Sequence, residues 1–183
     1  MRIVFKKMAV QKTFRYISNW GITNTWAVDD RDTSSITAAI NPGEPLKISG
    51  VFLIPLATGD PEIGTDAFAG LARKQSTESA TVNGVVEVLV PIPGKSIIRG
   101  QATDSSAVDT DAEILALVGN YVNADNTTLA TTNGDFTIDE NEASDPNGNA
   151  FMIMRGNAVK GTLDCLVHVL STIAGNQIGQ TID

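Results

Sequence analysis

A chain of 183 residues with 13 Lys and Arg against 21 Asp and Glu carries a formal charge of −8, which argues against nucleic acid as the partner of its bulk. Its length supports one domain with an appended arm, whose core removes about 70% of the unfolded surface from water, so folding requires neither a disulfide nor a metal. The single Cys165 excludes an intramolecular disulfide, and no stretch approaches the ~18 consecutive apolar residues of a membrane-spanning helix.

The charge is unevenly spread. Residues 1–28 hold Arg2, Lys6, Lys7, Lys12 and Arg15 and no acid, while 8 of the 13 bases and all 21 acids follow, so a +5 leader precedes a −13 body. The leader also contains Phe5, Phe14, Tyr16, Trp20 and Trp26, half of the chain's aromatic residues. Lys6, Lys7, Gln11 and Lys12 interrupt any secretory core, and Met8-Ala9-Val10-Gln11-Lys12 has the texture of a protein start, which makes residues 1–7 an alternative start or an added extension. From Thr13 to Ile40 no helical or strand period is sustained, which suits an extended arm that becomes ordered on a partner. A basic, aromatic arm also suits nucleic-acid contact, but the acidic body opposes that approach.

Asn41-Pro42-Gly43-Glu44-Pro45 is a dense turn signal and the expected boundary between an arm over 1–40 and a body over 41–170. Strands follow at Leu46–Ser49 and Val51–Leu56, with Pro55 placing the second at a sheet edge. Ala67–Ala72 is a further strand. Asn83-Gly84 predicts a hairpin joining Glu78–Val82 to Val85–Val90, the second strand being central in its sheet. Ile97–Ala102 begins the next strand. Asp109 or Thr110 caps a short helix, Asp111–Val118, ended by Gly119. A second hairpin centres on Asn133-Gly134, and Asp139–Asn149 forms an acidic loop. Phe151–Met154 and Leu163–Leu170 are the last strands, followed by a loose tail over 171–183. The expected fold class is mainly β: a small barrel or sandwich with one short helix and an extended N-terminal arm.

Few residues suggest reactive chemistry. Pro93-Gly94-Lys95-Ser96 contains the end of a phosphate-binding loop, but Leu89 stands where the pattern requires glycine. Cys165 and His168 fall on opposite faces of a strand, Cys165 with Leu163 and Val167 in the core and His168 with Asp164 and Leu166. One His and one Cys do not make a zinc site. Asp109, Asp111 and Glu113, and the group Asp135, Asp139, Glu140, Glu142 and Asp145, offer oxygen ligands for calcium but lack the helix–loop–helix glycine and glutamate. No catalytic residue, metal site or cofactor is expected.

Gly43-Glu44-Pro45-Leu46, Ile54-Pro55-Leu56-Ala57, Asp66–Ala72, Val85–Pro93 and Phe136–Glu140 before the hairpin Phe151–Leu170 follow one another in an order that resembles the decoration (cement) proteins of tailed-bacteriophage capsids. The resemblance covers roughly residues 41–170. It implies a β-rich, homotrimeric structural protein on the outer surface of the virion, bound to the major capsid protein and bridging capsid subunits, with no enzymatic activity and no nucleic-acid or membrane partner. Phe14, Tyr16, Trp20 and Trp26 are then the expected partner-binding anchors of the arm, because a few buried aromatics dominate most interfaces. The alternatives are a head-fibre or tail component, or a calcium-binding all-β domain.

Overall fold

The computed structural model describes residues 14–18, 20–30, 38–56, 67–126, 136–146 and 148–168. The protein is mainly β; among the described residues there is one α-helix, and the strands form two sheets.

The first sheet contains β1 (Arg15–Ser18), β7 (Ile97–Ala102), β8 (Tyr121–Val122), β9 (Ala124–Asn126), β10 (Phe136–Ile138), β11 (Phe151–Asn157) and β12 (Thr162–Val167). Its order is β8-β11-β12-β7-β10-β9. One edge of β7 is shared: β10 runs parallel to its end and β1 antiparallel to its beginning. The second sheet contains β2 (Trp20–Val28), β3 (Pro45–Ser49), β4 (Phe52–Pro55), β5 (Ala67–Ala72) and β6 (Gly84–Pro91), in the order β2-β6-β5-β3-β4. It curls until its two edge strands, β2 and β4, approach each other, so the sheet is a nearly closed barrel.

Alternation of side chains builds two cores. The barrel encloses Val28, Ile40, Leu46, Leu53, Ala69, Ala72, Val86, Val88 and Val90, all buried. The larger core lies between the barrel and the seven-stranded sheet and contains Phe14, Phe68, Leu71, Ile98, Phe136, Phe151, Ile153, Leu163, Cys165 and Val167. β5 serves both because its register slips between Gly70 and Phe68, the partners of Leu46 and Lys47, leaving Ala69 as an extra residue. The slip puts Phe68 and Leu71 in one core and Ala69 and Ala72 in the other. Gly70 has φ of 135°, and a Cβ there would lie 2.2 Å from the Leu89 carbonyl oxygen, so only glycine fits.

The helix α1 spans Asp111–Leu117, as its caps predict. Thr110 accepts from the Glu113 amide while Glu113 accepts from Thr110, a capping box. Ile114 is buried against β11. β4 is an edge strand, as Pro55 indicates, and β6 is central. β9 and β10 pair antiparallel as the second hairpin requires, with Asn133-Gly134 itself outside the described residues.

The structure corrects the first hairpin. Glu78–Val82 forms irregular chain and bends, not a strand, and the partners of β6 are β2 and β5. Gly84 has no positive φ; a Cβ there would lie 2.1 Å from the Glu78 backbone nitrogen. Glycine at this position permits close backbone approach instead of a tight turn. Asn83 Oδ1 accepts from the Asp30 amide at 2.9 Å, joining this bend to the end of β2.

The arm over 1–40 is corrected as well. Residues 15–18 and 20–28 are strands, one in each sheet, with β1 on β7 and β2 along nearly all of β6. Ile40 is fully buried in the barrel. The turn at 41–44 exists, with Gly43 at φ 88°, but it lies within the body: the Phe14 amide donates to the Gly43 carbonyl at 3.0 Å, and the Gly43 amide to the Ala72 carbonyl at 2.8 Å. The reason is cross-strand pairing that no local period reveals. Residues 1–13 and the expected tail 171–183 lie outside the described residues.

Candidate functional site

The aromatic residues expected to anchor on a partner occupy different environments. Phe14 is 1% exposed, meets Phe151 edge-on at 6.3 Å and lies over Gly100, where a Cβ would come within 2.6 Å of its ring. Tyr16 packs against the same core and donates its hydroxyl to the Leu89 carbonyl at 3.0 Å, tying the two sheets together. Burial pushes its phenol well above the ordinary range. Trp26 is half-buried against the barrel core. Trp20 pairs through its backbone with Pro91. Phe14 and Tyr16 are therefore spent within the fold and do not form an exposed anchor.

Cys165 and His168 also have packing roles. Cys165 is fully buried. Burial, reinforced by the charge of Asp164, pushes its thiol up and away from the reactive thiolate. His168 lies beyond the end of β12 and meets the Tyr121 ring at 4.7 Å, while its amide donates to the Ala150 carbonyl at 2.8 Å. In the phosphate-loop remnant, Ser96 is buried and its hydroxyl accepts from the Ile92 amide at 2.7 Å. The Gly94 amide donates to the Val167 carbonyl at 2.7 Å. The amide and hydroxyl that a phosphate would use instead close the turn and tie it to β12.

The acidic loops are similarly committed. Glu140 is 4% exposed and receives the amides of Thr103 and Asp104, each at 2.8 Å. Asp139 Oδ1 accepts from the Asn141 amide at 3.1 Å. Glu113 receives both the amide and the hydroxyl of Thr110, at 3.0 and 2.8 Å. The Thr110 hydroxyl holds its carboxyl below the usual range, whereas the hydrogen bond to Glu113 raises that of Asp109. Among the described residues, no three His, Cys, Asp or Glu side chains converge on a common point that would hold a cation. Asp135 lies outside the described residues.

A different charged centre emerges on the outer face of the seven-stranded sheet. Asp164 of β12 stands opposite Arg99 of β7 on one side and Arg155 of β11 on the other. Arg99 donates Nε to Oδ1 at 2.5 Å and Nη2 to Oδ2 at 2.7 Å, a two-pronged pair, and Arg155 adds Nε to Oδ2 at 2.8 Å. The Asp164 side chain is only 3% exposed, against 27% for Arg99 and 67% for Arg155. Burial alone would raise its carboxyl, but the hydrogen bonds from Arg99 and then Arg155 prevail and hold it below the usual range. A register slip between Ile153 and Arg155 turns Arg155 to this face.

Strict alternation in Leu163–Val167 already assigns Asp164 to the outward face. Its arginine partners are 9 and 65 residues away in sequence, and no spacing rule connects them. No protein-family model matches the chain, and no curated protein matches it in sequence.

Proposed function

We propose that this chain is a structural virion protein that binds the outer surface of a phage capsid and stabilises the shell by bridging capsid subunits, acting as a homotrimer and without catalysis. The order of elements over 41–170 supports this reading through its resemblance to decoration proteins. The structural observation in its favour is how the chemically capable residues are employed: Cys165, His168, Ser96, Glu140 and Glu113 are each engaged in packing, turns or caps. An acidic exterior also suits the outside of a DNA-filled shell, where a basic one would compete for nucleic acid.

Bridging works mechanically. Each contact between the protein and two adjacent subunits must be broken before the subunits separate, so binding to the intact shell raises its stability by mass action. In a trimer three such contacts act together, and effective concentration multiplies modest affinities. Because Phe14 and Tyr16 are enclosed, attachment falls to exposed faces of the two sheets.

The test adds purified protein to expanded capsids that lack it. Saturable binding together with a higher shell melting temperature is the expected result. Absence of binding at micromolar protein, with a folded sample, overturns the reading.

A further inference from the structure

Two registered rows lie side by side on the outer face of the seven-stranded sheet. Tyr121, Met152, Leu166 and Ile97 stand opposite one another across β8, β11, β12 and β7. Beside them run Arg155, Asp164, Arg99 and, through the pairing of β1 with β7, Arg15. Directly paired residues point to the same side of a sheet, so three guanidinium groups and one carboxylate stand in this row on the same face. Strands ~4.8 Å apart put the whole charged row within about 15 Å.

Asp164 neutralises one positive charge, leaving an excess of two in a protein whose net charge is −8. Nη1 of Arg99 and both terminal nitrogens of Arg155 have no acceptor among the described residues, and neither does the Arg15 guanidinium. Asp164 orients the two flanking side chains, which lowers the ordering cost of using their remaining donors. The adjoining row, with a tyrosine, a methionine and two aliphatic residues, is half-buried and apolar. Arginine beside tyrosine and methionine is the composition enriched at protein interfaces.

We propose that the row Arg15–Arg99–Asp164–Arg155 is a docking site for a carboxylate-rich, extended segment of a partner protein, whose acidic side chains pair with the free guanidinium donors while its apolar side chains cover the Tyr121–Ile97 row. A planar guanidinium matches a carboxylate with two parallel hydrogen bonds. Phosphate groups on nucleic acid have related chemistry, but a polyanion meets the acidic remainder of the surface, whereas a short acidic strand does not. The site does not depend on the capsid reading: peptide binding with no capsid attachment sinks the latter alone, and capsid attachment unaffected by the variants below sinks the former as its means.

The test uses the full chain and fluorescence anisotropy with three labelled probes: an eight-residue peptide alternating Glu and Val, its Gln–Val counterpart, and a single-stranded DNA oligonucleotide. Saturable binding of the Glu peptide is expected, with at least tenfold loss on Arg155→Gln, a further loss on Arg15→Gln/Arg155→Gln, and no change on Lys160→Gln. Arg99 and Asp164 are left in place, so the buried carboxylate keeps its two-pronged partner and the fold is retained, which circular dichroism verifies. Equal affinity for the Gln peptide, undiminished binding by the double variant, no binding at millimolar peptide, or preference for the oligonucleotide overturns the proposal.

Discussion

Truncating Phe14 to alanine asks whether the N-terminal aromatic segment belongs to the folded body. The ring is 1% exposed, contacts Phe151 edge-on and lies against Gly100 at the centre of the larger core. Removing a phenyl group from such a site costs about 3–5 kcal/mol through lost transfer energy and the cavity left behind. For a domain of this size each kcal/mol lowers Tm by about 2–4 °C, so a fall of roughly 6–20 °C is expected. Urea unfolding of the isolated protein, followed by circular dichroism, measures the loss directly as a shift in midpoint at constant slope. Gly100→Ala supplies the internal control. Alone it drives a methyl group into the Phe14 ring and costs about 1–3 kcal/mol. In the Phe14→Ala background the same methyl enters vacated space, so the two changes together cost less than their sum by about 0.5–3 kcal/mol. A Phe14→Ala protein within ~0.5 kcal/mol of the parent, the value of an ordinary surface change, refutes the assignment of β1 to the core and restores the free arm.

Gly70→Ala combines backbone strain at φ 135° with a Cβ 2.2 Å from the Leu89 carbonyl oxygen, and is expected to cost about 2–6 kcal/mol. Gly50→Ala, at φ 60° with no atom within 4 Å, is expected to cost only about 1–2 kcal/mol; equal losses in urea unfolding contradict the close-packing argument. Asp164→Asn leaves two arginines without their carboxylate and is expected to destabilise by about 3 kcal/mol, the lower end for breaking a buried pair, since Arg155 is largely solvated. Because the folded carboxyl titrates below its unfolded value, the pair's stabilisation is present above about pH 4 and is lost as pH falls through the folded value. A pH series of unfolding midpoints should show a shallower acid limb for Asp164→Asn; identical acid limbs would rule out this linkage. Finally, Cys165 should react with a thiol reagent such as Ellman's only at the rate at which the protein opens, because the thiol is fully buried and held protonated. Stoichiometric labelling of the native protein within the mixing time contradicts its position in the core.

Local signals in the sequence were sufficient for the mainly β class, the edge position of β4 and the helix α1. Each depends on chemistry carried by adjacent residues: Pro55 lacks an amide donor, Thr110 and Glu113 satisfy each other's backbone amides, and Leu163, Cys165 and Val167 alternate with Asp164. Long-range pairing decided the rest. Residues 14–28 show no sustained period because their strands are divided between two sheets, with Phe14 and Tyr16 contributing to one core and Val28 to the other. Asn83-Gly84 has the composition of a tight turn, yet β6 gains more by pairing with β2 and β5 than with the bends before it. The Arg99–Asp164–Arg155 centre exists only because β7, β12 and β11 lie side by side in register. Residue type establishes which groups are able to form a charged row; strand order in three dimensions determines which of them stand in it, because cross-strand neighbours are set by the global pairing and not by distance along the chain.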